Sequence, residues 1–152
     1  MTETEIVIRL ALATLAGLIL GIDRELRGIS AGMRTHGLVG LSSAAITISA
    51  LMLAGELHAA GAGPNIDPLR VIQGLAQAIG FIAAGAIFVA KGSVHNLTSA
   101  ANLWLAAAMG IAAGAGQFIL LVTTMILGVV VVTLVRLVEH YIPNGKEIAG
   151  DD

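Results

Sequence analysis

The chain has 152 residues, 57% of them hydrophobic and 12% charged, with a mean hydropathy of +0.91, which is more apolar surface than a soluble domain can expose and identifies a membrane protein. A formal net charge of −2 gives no basic field of the kind nucleic-acid binding needs, so nucleic acid is excluded as a partner. The absence of cysteine excludes a disulfide framework, a thiolate metal site and a thiol nucleophile.

The opening segment MTETEIVIRL is acidic where a cleavable signal would be basic, so the first apolar run is expected to be a retained span. Five runs approach the roughly 20 residues that cross about 30 Å of hydrocarbon. They cover approximately 5–22, 37–57, 69–90, 98–114 and 117–138. The first carries Ala13, Gly17 and Gly21 at helical spacing, and Arg9 near its outer end, from which a guanidinium can snorkel to the interface.

Between the first two spans lies the most charged stretch of the chain, GIDRELRGISAGMRTH, Gly21 to His36. Asp23 and Glu25 are two apart and do not face each other on a helix, so they cannot jointly grip one ion unless the helix has ended. Gly21 and Gly28 allow such an ending. Mg²⁺ takes one or two carboxylates while keeping several waters, so a site on Asp23 or Glu25 is chemically open. Pairing of either carboxylate with Arg34 across the loop is the simpler expectation.

The second span presents Gly40, Ser43, Thr47, Ala50 and Ala54 on one stripe, the spacing by which helices approach closely in lipid. The loop NIDPLR places Asp67 as N-cap and Pro68 as first helical residue, so the third span should start at Pro68. Its Gln73, Gln77, Gly80 and Ala84 share a face of amides and small residues, which is expected to point inward. Arg9, Glu56 and Arg70 all fall at the outer ends of spans and could form an ion-paired cluster. The fourth span carries Asn102, Ala106, Gly110 and Gly114 on one stripe. The break GAGQ is tight enough that the fourth and fifth spans form a hairpin, and the broad, β-branched fifth span is expected at the periphery or at a subunit contact. Residues 1–141 form the membrane domain and 142–152 a flexible polar tail.

Arg24, Arg27, Arg34, Lys91, Arg136 and Lys146 lie on one side of a five-span topology, and the loop from His58 to Asp67 carries no Lys or Arg. Positive residues stay inside, so the N-terminus is expected outside and the C-terminus in the cytoplasm. His36, His58, His95 and His140 are scattered over both surfaces and read as interfacial. No nucleophile, base and orienting group recur at plausible spacing, so enzymatic activity is not expected.

In the order GLILGIDREL, AGMRTHGLVG, RVIQGLAQAIGFIAAGAIF and NLTSAANLWLAAAMGIAAGAG, the sequence resembles the MgtC/SapB family of membrane proteins over about residues 10–116. The matching positions include Asp23, Arg24, Glu25, Arg34, Thr35, Gly80, Phe81, Gly85, Thr98 and Trp104. The chain departs from the family pattern at Gln77–Ala78, Ala84, Asn96 and Ser99. The resemblance implies a multi-pass bacterial inner-membrane protein linked to survival at low Mg²⁺ and, in pathogens, to life inside host cells. It implies either a regulator of other membrane complexes, such as the proton-driven ATP synthase, or a transporter of Mg²⁺ or a small solute. Members often carry a cytoplasmic C-terminal domain, and this chain is expected to correspond to the membrane core alone.

The resulting expectation is an all-helical, five-span, homodimeric regulator. Its functional cytoplasmic cluster is Asp23, Arg24, Glu25, Arg34, Thr35, Thr98, Asn102 and Trp104. Gln73 and Gln77 are its intramembrane polar groups, with Mg²⁺ as a candidate ligand of Asp23 or Glu25. At about 1.5 Å per residue, Gln77 lies roughly 10 Å below the outer end of its span and Asn102 roughly 8 Å above the inner end. No charge between them serves a crossing divalent cation, which favours regulation over transport.

Overall fold

The computed structural model describes residues 1–29, 31–61, 66–90 and 93–141. Five helices follow in order: α1 (Glu3–Leu26), α2 (Met33–Ala59), α3 (Leu69–Ala86), α4 (Leu97–Gly114) and α5 (Phe118–Tyr141). A two-stranded antiparallel hairpin, β1 (Phe88–Ala90) and β2 (Ser93–His95), joins α3 to α4. By length and composition α1, α2, α3 and α4 can each cross a membrane, and the apolar stretch Phe118–Leu134 of α5 continues the pattern. The chain is a polytopic helical bundle. The expected tail over 142–152 lies outside the described residues, as do Lys91 and Lys146.

The helix ends have readable causes. Thr2 and Glu5 form a reciprocal capping box at the start of α1, the threonine hydroxyl accepting from the Glu5 amide at 3.2 Å. The helix then runs past Gly21 to Leu26, four residues beyond the expected end of the span. It stops where Gly28 takes a left-handed φ of 65°. The Gly28 and Ile29 amides donate back to the Glu25 and Arg24 carbonyls, a Schellman closure. The same device ends α4: Gly116 is at φ 76°, and the Gly116 and Gln117 amides donate to Ala113 and Ala112. This closure makes the expected hairpin with α5.

The expected start of α3 shifts by one residue: the helix begins at Leu69 with Pro68 as its N-cap, and Asp67, one residue before the cap, accepts from the Leu69 amide through Oδ1 at 2.9 Å. The third span was expected to reach residue 90 and instead ends at Ala86. Asn96 Nδ2 donates to the Ala86 carbonyl at 3.1 Å, so that helix end is closed by a side chain from beyond the hairpin.

The core sits between α1, α2 and α4, where the small-residue stripes meet. A Cβ on Gly40 would lie 2.6 Å from the Ala13 carbonyl oxygen, one on Gly114 would lie 2.7 Å from the Ala44 carbonyl oxygen, and one on Gly110 would overlap the Gly40 backbone. Ala13, Ala44, Ala106 and Ala113 are fully buried in the same seam. Backbones in this contact gain dispersion energy that lipid cannot supply, which is how helices associate without a hydrophobic driving force.

The expected orientation of α3 is overturned. Its buried face is Leu75, Ile79 and Ala83, while Gln73, Gln77, Gly80 and Ala84 are exposed. The bulky face fills the groove beside α4, and a Cβ on Gly74, Gly80 or Gly85 would meet nothing within 4 Å. Helix α5 is peripheral as expected, with Ile119 87% exposed.

Candidate functional site

At one end of the core the last turn of α1, the segment before α2, the hairpin and the start of α4 converge. The sequence Asp23-Arg24-Glu25 remains helical there, so its three side chains leave α1 about 100° apart and take three different partners. Asp23 is gripped by Arg27 one turn on, Nε donating to Oδ1 at 3.0 Å and a terminal nitrogen to Oδ2. Glu25 turns to the start of α2, where Oε2 accepts from the Met33 amide at 3.1 Å and caps a helix whose N-cap residue, Gly32, has no side chain.

Arg24 points into the protein and is 4% exposed. Its Nε donates to the Ala31 carbonyl at 3.2 Å, and a terminal nitrogen donates to Ser99 Oγ at the start of α4. Ala31 holds that carbonyl in place at a left-handed φ of 58°, unusual for a residue with a Cβ. One guanidinium thus ties α1, the α1–α2 connection and α4 together.

Beside it opens a cavity of about 830 Å³. Its polar wall includes Asp23, Arg24, Arg27, Ser99 and Asn102; its apolar wall includes Ile29, Leu97 and the α5 residues Val131 and Val132. Asn102 is 4% exposed, and its Nδ2 has no hydrogen-bond partner. Asn96, the residue before α4, sits at φ 67° with its side chain committed to α3, so no side chain caps the first amides of α4.

The sequence-derived cluster divides. Asp23, Arg24, Thr98 and Asn102 line the cavity. Glu25 serves the start of α2, Arg34 and Thr35 are exposed on the first turn of α2, and Trp104 is 48% exposed and outside the cavity lining. The expected Arg34 pairing with either acid is replaced by the Arg27 and Met33 partners. Asp23 and Glu25 do not converge, and among the described residues no three His, Asp or Glu groups could hold a metal ion together.

The outer cluster is also replaced. Arg9 pairs with Glu5 one turn earlier at 2.6 Å and donates to the Gly114 carbonyl at 2.7 Å, a cation on the negative end of the α4 dipole. Glu56 and Arg70 are exposed apart from it. Sequence reasoning missed Arg27, Asn96 and Ser99 as cavity residues and misplaced His36, which is fully buried rather than interfacial. His36 Nδ1 lies 2.9 Å from the Gly32 carbonyl oxygen, and Nε2 is unpartnered. The signal was present: His36, Gly40, Ser43 and Thr47 share one stripe of α2, and that stripe faces the core.

The model of the MgtC family matches residues 10–141. The chain is 39% identical over 115 residues to YhiD of Escherichia coli K12, named for a suspected role as a magnesium transporter, covering 75% of this chain and 53% of that protein. It is 34% identical to SapB of Bacillus subtilis, covering 76% of this chain and 50% of that protein. It is 36% identical to MgtC of Brucella abortus, covering 70% and 41%. The chain therefore spans about half the length of the curated relatives it matches. No solved structure matches it.

Proposed function

The chain belongs to the MgtC family, and from that membership we propose that it is a multi-pass protein of the bacterial inner membrane that regulates other membrane complexes during adaptation to low Mg²⁺. In this reading the end bearing Arg24, Arg27 and Arg34 faces the cytoplasm, the N-terminus is outside, and the cavity beside Arg24 is the working end of the molecule. The observation that supports regulation over conduction is the seam of α1, α2 and α4. Glycines 40, 110 and 114 bring backbones into contact and leave no width for a hydrated cation between these helices.

A transport reading draws on the name of the E. coli relative and on the buried polar residues His36, Ser43, Thr47 and Asn102 at successive depths. His36, Ser43 and Thr47 are buried on the face of α2 that packs in the seam, Asn102 lines the cavity at its end, and none of the four is a carboxylate, which is why regulation is preferred. The partner we envisage is another membrane complex, such as the proton-driven ATP synthase that the family resemblance implies. A second copy of this chain would give the exposed amides of Gln73 and Gln77 on α3 partners that lipid cannot give.

The test is growth in limiting Mg²⁺ of cells that depend on this protein. Asp23→Asn removes an exposed pair worth about 0–1 kcal/mol, so the protein should still accumulate in the membrane. Growth should nevertheless fail, because Asp23 orders Arg27 at the cavity. Unchanged growth contradicts the proposal, and loss of the protein itself would make Asp23 structural.

A further inference from the structure

We infer that the cavity beside Arg24 binds a phosphate-bearing anion with an organic body. The polar wall is a wall of donors. Asn102 Nδ2 is buried and unpartnered, and a buried donor without an acceptor costs about 1–3 kcal/mol unless something fills the position. Ser99 Oγ accepts from Arg24, which leaves its own proton to donate. The first amides of α4 carry no side-chain cap, and the positive end of the helix dipole lies at the same place.

Charge points the same way. Arg24 and Arg27 bring two guanidiniums to the cavity and Asp23 one carboxylate, already engaged by Arg27, so with the lining residue His95 counted as neutral the side chains carry one net positive charge. A divalent cation entering here would meet donors and guanidiniums. An anion would meet complementary groups, with Asp23 as the single opposing charge, held against its partner.

Volume and shape set the rest of the ligand. A cavity of about 830 Å³ far exceeds a bare phosphate and falls in the range of small-molecule sites. The wall formed by Ile29, Leu97, Val131 and Val132 offers apolar surface to the remainder of the molecule. The chemistry is shared by a soluble phosphate monoester and by the head group of an anionic phospholipid. The inference rests on the regulatory reading only in treating this cavity as the working end; occupancy is measured without growth or flux, so the two can fail separately.

The full chain is reconstituted in nanodiscs of phosphatidylcholine, and its thermal unfolding is followed in two arms. One arm adds glycerol 3-phosphate to the buffer; the other adds phosphatidylglycerol to the lipid. Wild type should be stabilised in at least one arm, and which arm responds identifies the source. Asn102→Leu removes the unpartnered donor and preserves size, so the ligand-free variant should unfold at the same or a higher temperature, while apparent affinity falls by about tenfold or more. Asn102→Asp puts an acceptor in place of the donor and should lose the response as well, which keeps the test open if the leucine variant does not fold. No stabilisation of wild type in either arm overturns the inference. So does an equal response in wild type and both variants.

Discussion

Arg24 illustrates how one residue can cross from liability to tie. A charge near the middle of a span costs about 2.5–3.5 kcal/mol on insertion scales, so an arginine on an apolar helix needs its donors filled. It sits in the last turn of α1 and bonds the Ala31 carbonyl and Ser99 Oγ. The carbonyl is aimed by Ala31 at φ 58°, where a Cβ costs roughly 1–2 kcal/mol. Ala31→Gly should therefore raise stability in detergent by up to about 1 kcal/mol with Arg24 still bonded, as read by thermal unfolding. A loss of stability would show that the alanine methyl contributes packing that outweighs its strain. The charges of the Gly21–His36 stretch were legible as a cluster; their partners were not. Pairing depends on whether the helix continues through Asp23, and glycines at 21 and 28 leave both outcomes open until the packing of Gly21 against Met33 decides it, with a virtual Cβ 2.6 Å from the Met33 Cα.

At the scale of elements, the same residue type has opposite meanings in different helices. Glycines 40, 110 and 114 are where backbones touch, whereas Gly74, Gly80 and Gly85 of α3 face open space. Gly110→Ala should accordingly cost about 1–3 kcal/mol or more, because the methyl meets backbone that cannot move aside. Gly80→Ala should cost nothing within a single chain and should slightly favour the helix. Unfolding midpoints of the two variants in one detergent decide the matter, and equal effects would contradict the packing described. The stripes of the first, second and fourth spans were legible in the sequence because small residues at helical spacing in lipid mean close approach. For α3 the same rule pointed to the wrong face. A stripe shows which side can approach another helix; it does not say whether that helix belongs to the same chain. The hairpin of β1 and β2 was hidden for a related reason: Phe88–Ala90 continues the apolar run of α3, and the helix stops where Ile87 turns extended and Asn96 bonds the Ala86 carbonyl, neither of which the apolar pattern signals.

At the scale of the whole molecule, composition and the spacing of apolar runs fixed the class and the number of helices, since crossing hydrocarbon demands long apolar helices with satisfied backbones. Composition could not reveal which helices touch. The bundle joins three tightly packed helices to two looser ones, and its polar cavity lies at one end rather than along an axis. Regulation and transport differ in what such a body should do by itself. Purified protein in sealed liposomes, with external Mg²⁺ and an internal Mg²⁺-sensitive dye, separates them most directly. The closed seam of α1, α2 and α4 predicts uptake no faster than into protein-free liposomes, with or without a membrane potential. Protein-dependent uptake that is lost in Gly110→Ala, in a variant that remains folded, would show that Mg²⁺ passes through that seam and would contradict the account.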